Sequence, residues 1–257
     1  MGRLQLFEFE DQQWFPKNIR NYGTDFLQFL ANKTKMFAPA IPLIEEVMQK
    51  SNTTKIIDLA SGGGGSWLFL NDELKKNTPQ VSITLTDYFP NIPAFKRTAD
   101  LADNIGYSTT PIDATNVPSD IKGLRTQFLS LHHFEEKSAT KILQNAVDAQ
   151  QPIALFEGQE RSIPSVIGML FSPITLWVVT LFIRPFSLAR ILFTYFIPIL
   201  PLFVMWDGIV SALRTYSVDE MKALVDQVDG KENYEWKIDK VKNGPGVMLY
   251  LVGWPKK

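Results

Sequence analysis

A chain of 257 residues, 45% hydrophobic and 21% charged, suits one large domain, with room for an insertion, that buries its own core without covalent staples. It holds no cysteine and only two histidines, the adjacent His132 and His133; this excludes disulfides, a thiolate nucleophile, Cys-ligated metal and a histidine-cluster metal site, so no metal is expected. A net charge of −1 gives no electrostatic footprint for nucleic acid.

The opening MGRLQLFEFEDQQ is acidic by position 8 and has no apolar run, so it does not read as a secretion signal. Leu6 stands where a myristoylation motif wants Ser or Thr. Apolar residues at Ile19, Tyr22, Phe26, Leu27 and Leu30 predict a helix over 16–33, with Pro16 in its first turn. A second amphipathic helix over 37–49 is broken near Pro39 and Pro42.

The period then changes. KIIDLAS (55–61), VSITLTD (81–87), YSTTPID (107–113), RTQFLSL (125–131) and PIALFEG (152–158) read as short apolar strands. Helical patterns lie between them, including one over 138–150, which predicts βαβ units and a parallel sheet. SVDEMKALVDQV follows as a helix with Ser217 and Glu220 in capping-box spacing. Two last strands, 234–241 and 247–253, meet at Asn243-Gly244-Pro245-Gly246 as an antiparallel hairpin.

The strongest constellation is Asp58-Leu59-Ala60-Ser61 followed by Gly62 to Gly65, between the first strand and its helix. Glycines there let main chain approach a ligand at the carboxyl edge of the sheet. No lysine completes a phosphate loop, and G-x-G-x-x-G fails at Trp67 or Leu68, which disfavours NAD. Asp87 closes the second strand, 22 residues past Gly65, where a carboxylate can accept both hydrogens of a ribose diol. Asp113 closes the third, within reach of an adenine amino group.

On these residues the chain resembles class I S-adenosylmethionine (SAM)-dependent methyltransferases, over roughly 55–158 and the terminal hairpin. Their first motif, acidic-x-Gly-x-Gly-x-Gly, reads here Asp58-Leu59-Ala60-Ser61-Gly62-Gly63-Gly64, with Ala60 in place of the first glycine. The resemblance implies a Rossmann-like α/β fold: a seven-stranded, mostly parallel sheet with a C-terminal antiparallel hairpin. It implies SAM as cofactor over that loop, Asp87 and the neighbouring Tyr88 at the ribose, Asp113 and Ala114 at adenine, and Leu131 to Phe134 bordering the methyl group.

Methyl transfer from a sulfonium is an in-line displacement in which positioning supplies much of the rate. His133 is the first candidate base, Glu157, at the end of the fifth strand, the second, and Glu160 the third. Asp207, Arg214 and Tyr216 are candidates for the acceptor pocket, with an Asp207–Arg214 ion pair as the structural reading. Trp14 and Phe15, with Tyr22, are candidates for closing over the cofactor from the amino-terminal side, with core packing as the rival reading.

From Ile163 to Trp206 the only charges are Arg184 and Arg190. Neither apolar half, 166–183 or 191–206, reaches the ~20 residues of a bilayer span. The expectation is a shallow hairpin in one leaflet with both arginines reaching for headgroups; a lid or a homodimer interface is the rival reading. The chain thus divides into a helical cap (1–54), a Rossmann-like core (55–162), a hydrophobic insert (163–206) and a closing helix and hairpin (207–257). The expected function is SAM-dependent methyl transfer to an oxygen or nitrogen of a small lipophilic acceptor, at the inner face of a membrane. A non-catalytic SAM-fold module, tethered or assembled through its insert, is the alternative.

Overall fold

The computed structural model describes residues 2–244 and 246–256; Pro245, in the expected hairpin turn, lies outside them. Seven strands form one sheet: β1 (Lys55–Asp58), β2 (Ser82–Leu85), β3 (Ile105–Tyr107), β4 (Leu124–Phe128), β5 (Ile153–Glu157), β6 (Tyr234–Asn243) and β7 (Gly246–Pro255). Their order is β3-β2-β1-β4-β5-β7-β6. The first five are parallel, and β7 runs antiparallel to both β5 and β6. The order reverses between β1 and β4, and such a switch point opens a crevice beyond the strands' carboxyl ends.

Alternation splits the apolar strand residues between two faces. Ile57, Leu155 and Leu251 pack against α5 (Glu136–Asp148) and α10 (Val218–Asp226). Ile56, Ala154 and Val252 pack against α2 (Ile41–Ser51), α3 (Trp67–Asn77) and α4 (Ile92–Asp100). The Ser217–Glu220 capping box of α10 forms as its spacing predicts.

The expected third strand is displaced. Residues 108–113 form a loop after β3, in which the Ser108 hydroxyl and the Thr110 main chain bond each other and Pro111 offers no N–H to a ladder. Asp113 therefore ends a loop rather than a strand.

The apolar region is a set of short helices: α6 (Ile163–Leu170), α7 (Ser172–Val179), α8 (Leu188–Ile191) and α9 (Ile199–Arg214), with a 3-10 turn at Thr180–Phe182 and a π turn at Leu192–Phe196. Pro173 sits in the first turn of α7, and Pro198 immediately precedes α9. Helix α9 runs past position 206 into the expected closing segment. Among the described residues no single helix is long and apolar enough to cross a membrane; two bent pairs pass by length and composition together.

The insert is seated on α1 (Lys17–Lys33) through Phe15, Ile19, Phe26, Leu176, Ile183, Leu200 and Phe203. Gly23 makes the seat possible, since a Cβ there would lie 2.5 Å from the Phe203 ring. Arg190 does not reach outward as expected. It is buried, donating to the carbonyls of Ile183 and Pro185 at 2.6 and 2.7 Å and to Asp25 Oδ2 at 3.2 Å. Asp25 supplies the counter-charge that a guanidinium taken out of water requires. Arg184 remains exposed.

Candidate functional site

Two adjoining cavities open at the sheet's switch point. The larger, about 790 Å³, is lined by the glycine loop, one face of α1, the segment around Glu10 and Asp11, and the ends of β2 and β4. The smaller, about 360 Å³, is lined by Ile112, Asp113, Ala114 and Thr115. Ala60, Asp87, Tyr88 and Phe134 border both, so the two read as one groove with Asp87 at its waist.

The loop is held from behind. Ser61 donates its hydroxyl to the Asp58 carbonyl at 2.9 Å, and Thr126 donates to Asp58 Oδ1 at 2.7 Å. Burial pushes Asp58 up to about 6, against those hydroxyls. Asn32 on α1 donates to the Gly65 carbonyl at 2.8 Å and accepts from the Phe69 amide at 2.9 Å, pinning the loop to the helix behind it. Gly62, Gly64 and Gly65 all have positive φ, which glycine adopts without steric cost. Ala60, where the motif wants glycine, is also left-handed at φ 52°. A Cβ at Gly62 or Gly65 would meet nothing within 4 Å, so bare main chain faces open space.

Asp87 Oδ2 accepts from the Gly62 amide and Oδ1 from the Phe89 amide, both at 2.8 Å. Burial raises its pKa, opposed by these two N–H groups. Each oxygen keeps a lone pair for a further donor, so a vicinal diol can be gripped without breaking either bond. Asp113 is committed locally: Oδ1 accepts from the Thr115 amide and hydroxyl, both at 2.8 Å.

The other candidates divide. His133 lines the large cavity, but both ring nitrogens are engaged, Nδ1 by Asp11 at 2.9 Å and Nε2 by Glu10 at 3.2 Å. Burial acts to lower its pKa, yet Glu8, Asp11 and Glu10 outweigh it and hold the imidazole well above its usual range. A positively charged ring with both nitrogens occupied is not the free general base the sequence suggests. Glu157 is fully buried outside the cavity lining, where it accepts from the His132 amide at 3.1 Å and sits 2.9 Å from His132 Nδ1. His132 is buried as well and does not line the cavity. Leu131 is likewise core.

Asp207 and Arg214 do not pair with each other. Asp207 accepts the amides of Phe9 and Glu10 at 2.8 and 3.0 Å, and burial pushes it up to about 7 against them. Arg214 donates to Asp11 Oδ2 at 2.7 Å and lies 3.2 Å from Glu8 Oε1. Tyr216 is buried, donating to the Phe134 carbonyl at 2.8 Å under the Arg3 guanidinium. Trp14 is exposed and stands edge-on to Phe9 and Phe15, so Phe15, not Trp14, lines the cavity. Tyr22 faces the insert, its hydroxyl accepting from Ser187 at 3.2 Å. The helical period sends Asn21, Thr24 and Gln28 into the cleft and turns Tyr22 and Phe26 away.

Three residues of the site were missed in sequence: Glu8, Glu10 and Asp11. The FEFED run shows acidic residues every one to two positions, but only contact with His133 and Arg214 reveals what they face. Burial opposes ionisation of Asp11, and the His133 and Arg214 hydrogen bonds outweigh it, bringing its pKa to about 2.

Solved structures with this architecture include the plantazolicin methyltransferase BpumL in complex with SAH (TM-score 0.61, 12% identity, 96% of this chain and 94% of that one). They also include a SAM-dependent methyltransferase from Aquifex aeolicus (0.54, 10%, 92% and 98%). A putative Zn-dependent alcohol dehydrogenase from Rhodobacter sphaeroides matches too (0.52, 12%, 91% and 98%), so architecture by itself does not choose the chemistry. No protein-family model and no curated protein matches the sequence. The fold is that of the class I SAM-dependent methyltransferases.

Proposed function

We propose that this chain is a SAM-dependent methyltransferase acting on an oxygen or nitrogen of a small lipophilic acceptor, at the inner face of a membrane. The observation that carries the reading is Asp87, set between two cavities above an uncovered glycine loop. The smaller cavity, with Ile112 and Ala114, suits a purine. Asp87 suits the ribose, and the main chain of Gly62 to Gly65 suits the amino-acid tail. The failed G-x-G-x-x-G spacing sets a dinucleotide aside.

When bound, SAM supplies an electrophilic methyl group on a sulfonium. The chain's part is to position both reactants and exclude water. Glu10 and Asp11 place negative charge on the cleft wall beside His133, where it favours a sulfonium and orients an acceptor N–H or O–H. His133 and Arg214 fix those carboxylates, and Glu157 fixes His132; these are positioning residues.

The membrane reading is supported by eighteen exposed large apolar side chains within 163–206, with no acidic residue among them. Titration calorimetry tests the cofactor. We expect SAM and its demethylated product to bind the wild-type chain and Asp87→Ala to weaken both at least 100-fold. Absence of binding to the wild type overturns the proposal. Binding without turnover on any lipophilic amine or alcohol favours the non-catalytic module.

A further inference from the structure

We propose that Glu8, His132 and His133 form a site for one divalent transition-metal ion, held by two imidazole nitrogens and one carboxylate. Counting histidines in the sequence argues against such a site, but the fold brings a third ligand to the pair. One ligand atom from each residue lies within 4.8 Å of the other two.

The second observation is Glu8 itself. It is wholly buried; Oε1 accepts from Ser211 at 3.2 Å and lies 3.2 Å from Arg214, while Oε2 is buried with no hydrogen-bond partner, 3.4 Å from His133 Nδ1. That oxygen accepts no hydrogen bond and keeps a lone pair free for an inner-sphere bond to an ion lying between the two rings.

Both imidazoles are oriented as metal ligands are. His132 holds Glu157 through Nδ1, which turns Nε2 toward Glu8 Oε1 at 4.0 Å. His133 holds Glu10 through Nε2, while Nδ1, 2.9 Å from Asp11 and 3.4 Å from Glu8, exchanges its Asp11 contact for the ion. A carboxylate on the far nitrogen of each ring is the outer-shell arrangement that fixes tautomer and raises ligand basicity.

Charge agrees. Glu8, Glu10, Asp11 and Glu157 face Arg214 and the two histidines. Two imidazoles favour an ion of the zinc, cobalt or copper kind over magnesium or calcium. Bonds of ~2.1 Å require the three atoms to close by about 1 Å.

The site does not depend on the methyltransferase reading, and its test needs no turnover. The chain has only two histidines, so a two-imidazole ion can sit nowhere else. The full chain, stripped with a chelator and loaded with one equivalent of Cu²⁺, is expected to show two coordinated imidazoles by pulsed electron paramagnetic resonance. Calorimetry with Zn²⁺ is expected to give one saturable site, weakened at least 10-fold in Glu8→Gln and 10- to 100-fold in Glu157→Gln. Fewer than two imidazoles, no saturable Zn²⁺ site, or unchanged affinity in a folded Glu8→Gln protein each overturn the proposal. Should Glu8→Gln fail to fold, the wild-type imidazole count and Glu157→Gln decide it.

Discussion

Ala60 occupies the one place in the loop where the chain departs from the motif it resembles, and it does so at a strained angle. An L-residue in the left-handed region costs roughly 1–2 kcal/mol, which a glycine avoids. Ala60→Gly should therefore stabilise the fold by about 1 kcal/mol in urea denaturation, after the extra freedom it gives the unfolded chain is offset. Because Ala60 borders both cavities, the same variant reports on whether its methyl group shapes the groove: unchanged SAM affinity means it does not. Asp87 was legible from its place at a strand end, since strand registers fix where carboxyl ends fall. Glu10 was not, since nothing local distinguishes a carboxylate that meets His133 from one that meets water.

Among the elements, the insert is where sequence and structure part most. A lone arginine in an apolar run reads as a headgroup contact, and Arg184 does stay exposed, beside the exposed Phe182 and Phe186. Arg190 is instead a tether, because Asp25, far away in sequence, comes within 3.2 Å. Asp25 also accepts from Arg97 of α4 at 2.7 Å, so one buried carboxylate joins α1, α4 and the insert. The apolar periodicity foretold helices here but not where they break. For the surface, the double variant Phe186→Asp with Leu188→Asp should abolish flotation with anionic liposomes and leave SAM affinity unchanged. Undiminished flotation removes the membrane reading, and loss of a dimer by sedimentation instead would assign the face to a second copy.

For the whole molecule, proton linkage gives a signed expectation. Asp58 and Asp207 are raised by burial to about 6 and about 7, from ordinary values near 4. Between those values the folded chain holds more protons than the unfolded one, so stability falls as pH rises from about 4 to about 7. Asp11, brought down to about 2, acts the other way and loses its contribution only in strong acid. Urea midpoints should decline from pH 5 to pH 7.5, and Asp207→Asn should flatten the decline. A midpoint that climbs over that range contradicts the burial of both groups. At this scale the sheet was largely legible, because apolar strands buried on both faces write themselves into sequence as KIID and IALFE. The third strand was misplaced because a three-residue strand leaves almost no pattern.

The placing of Glu8 and Asp11 against Arg214 has a consequence in time. One wall of the cleft draws on the beginning of the chain and on the last turn of α9, so no nascent polypeptide can finish that wall until synthesis has passed residue 214. Until then Glu8 and Asp11 wait without their arginine.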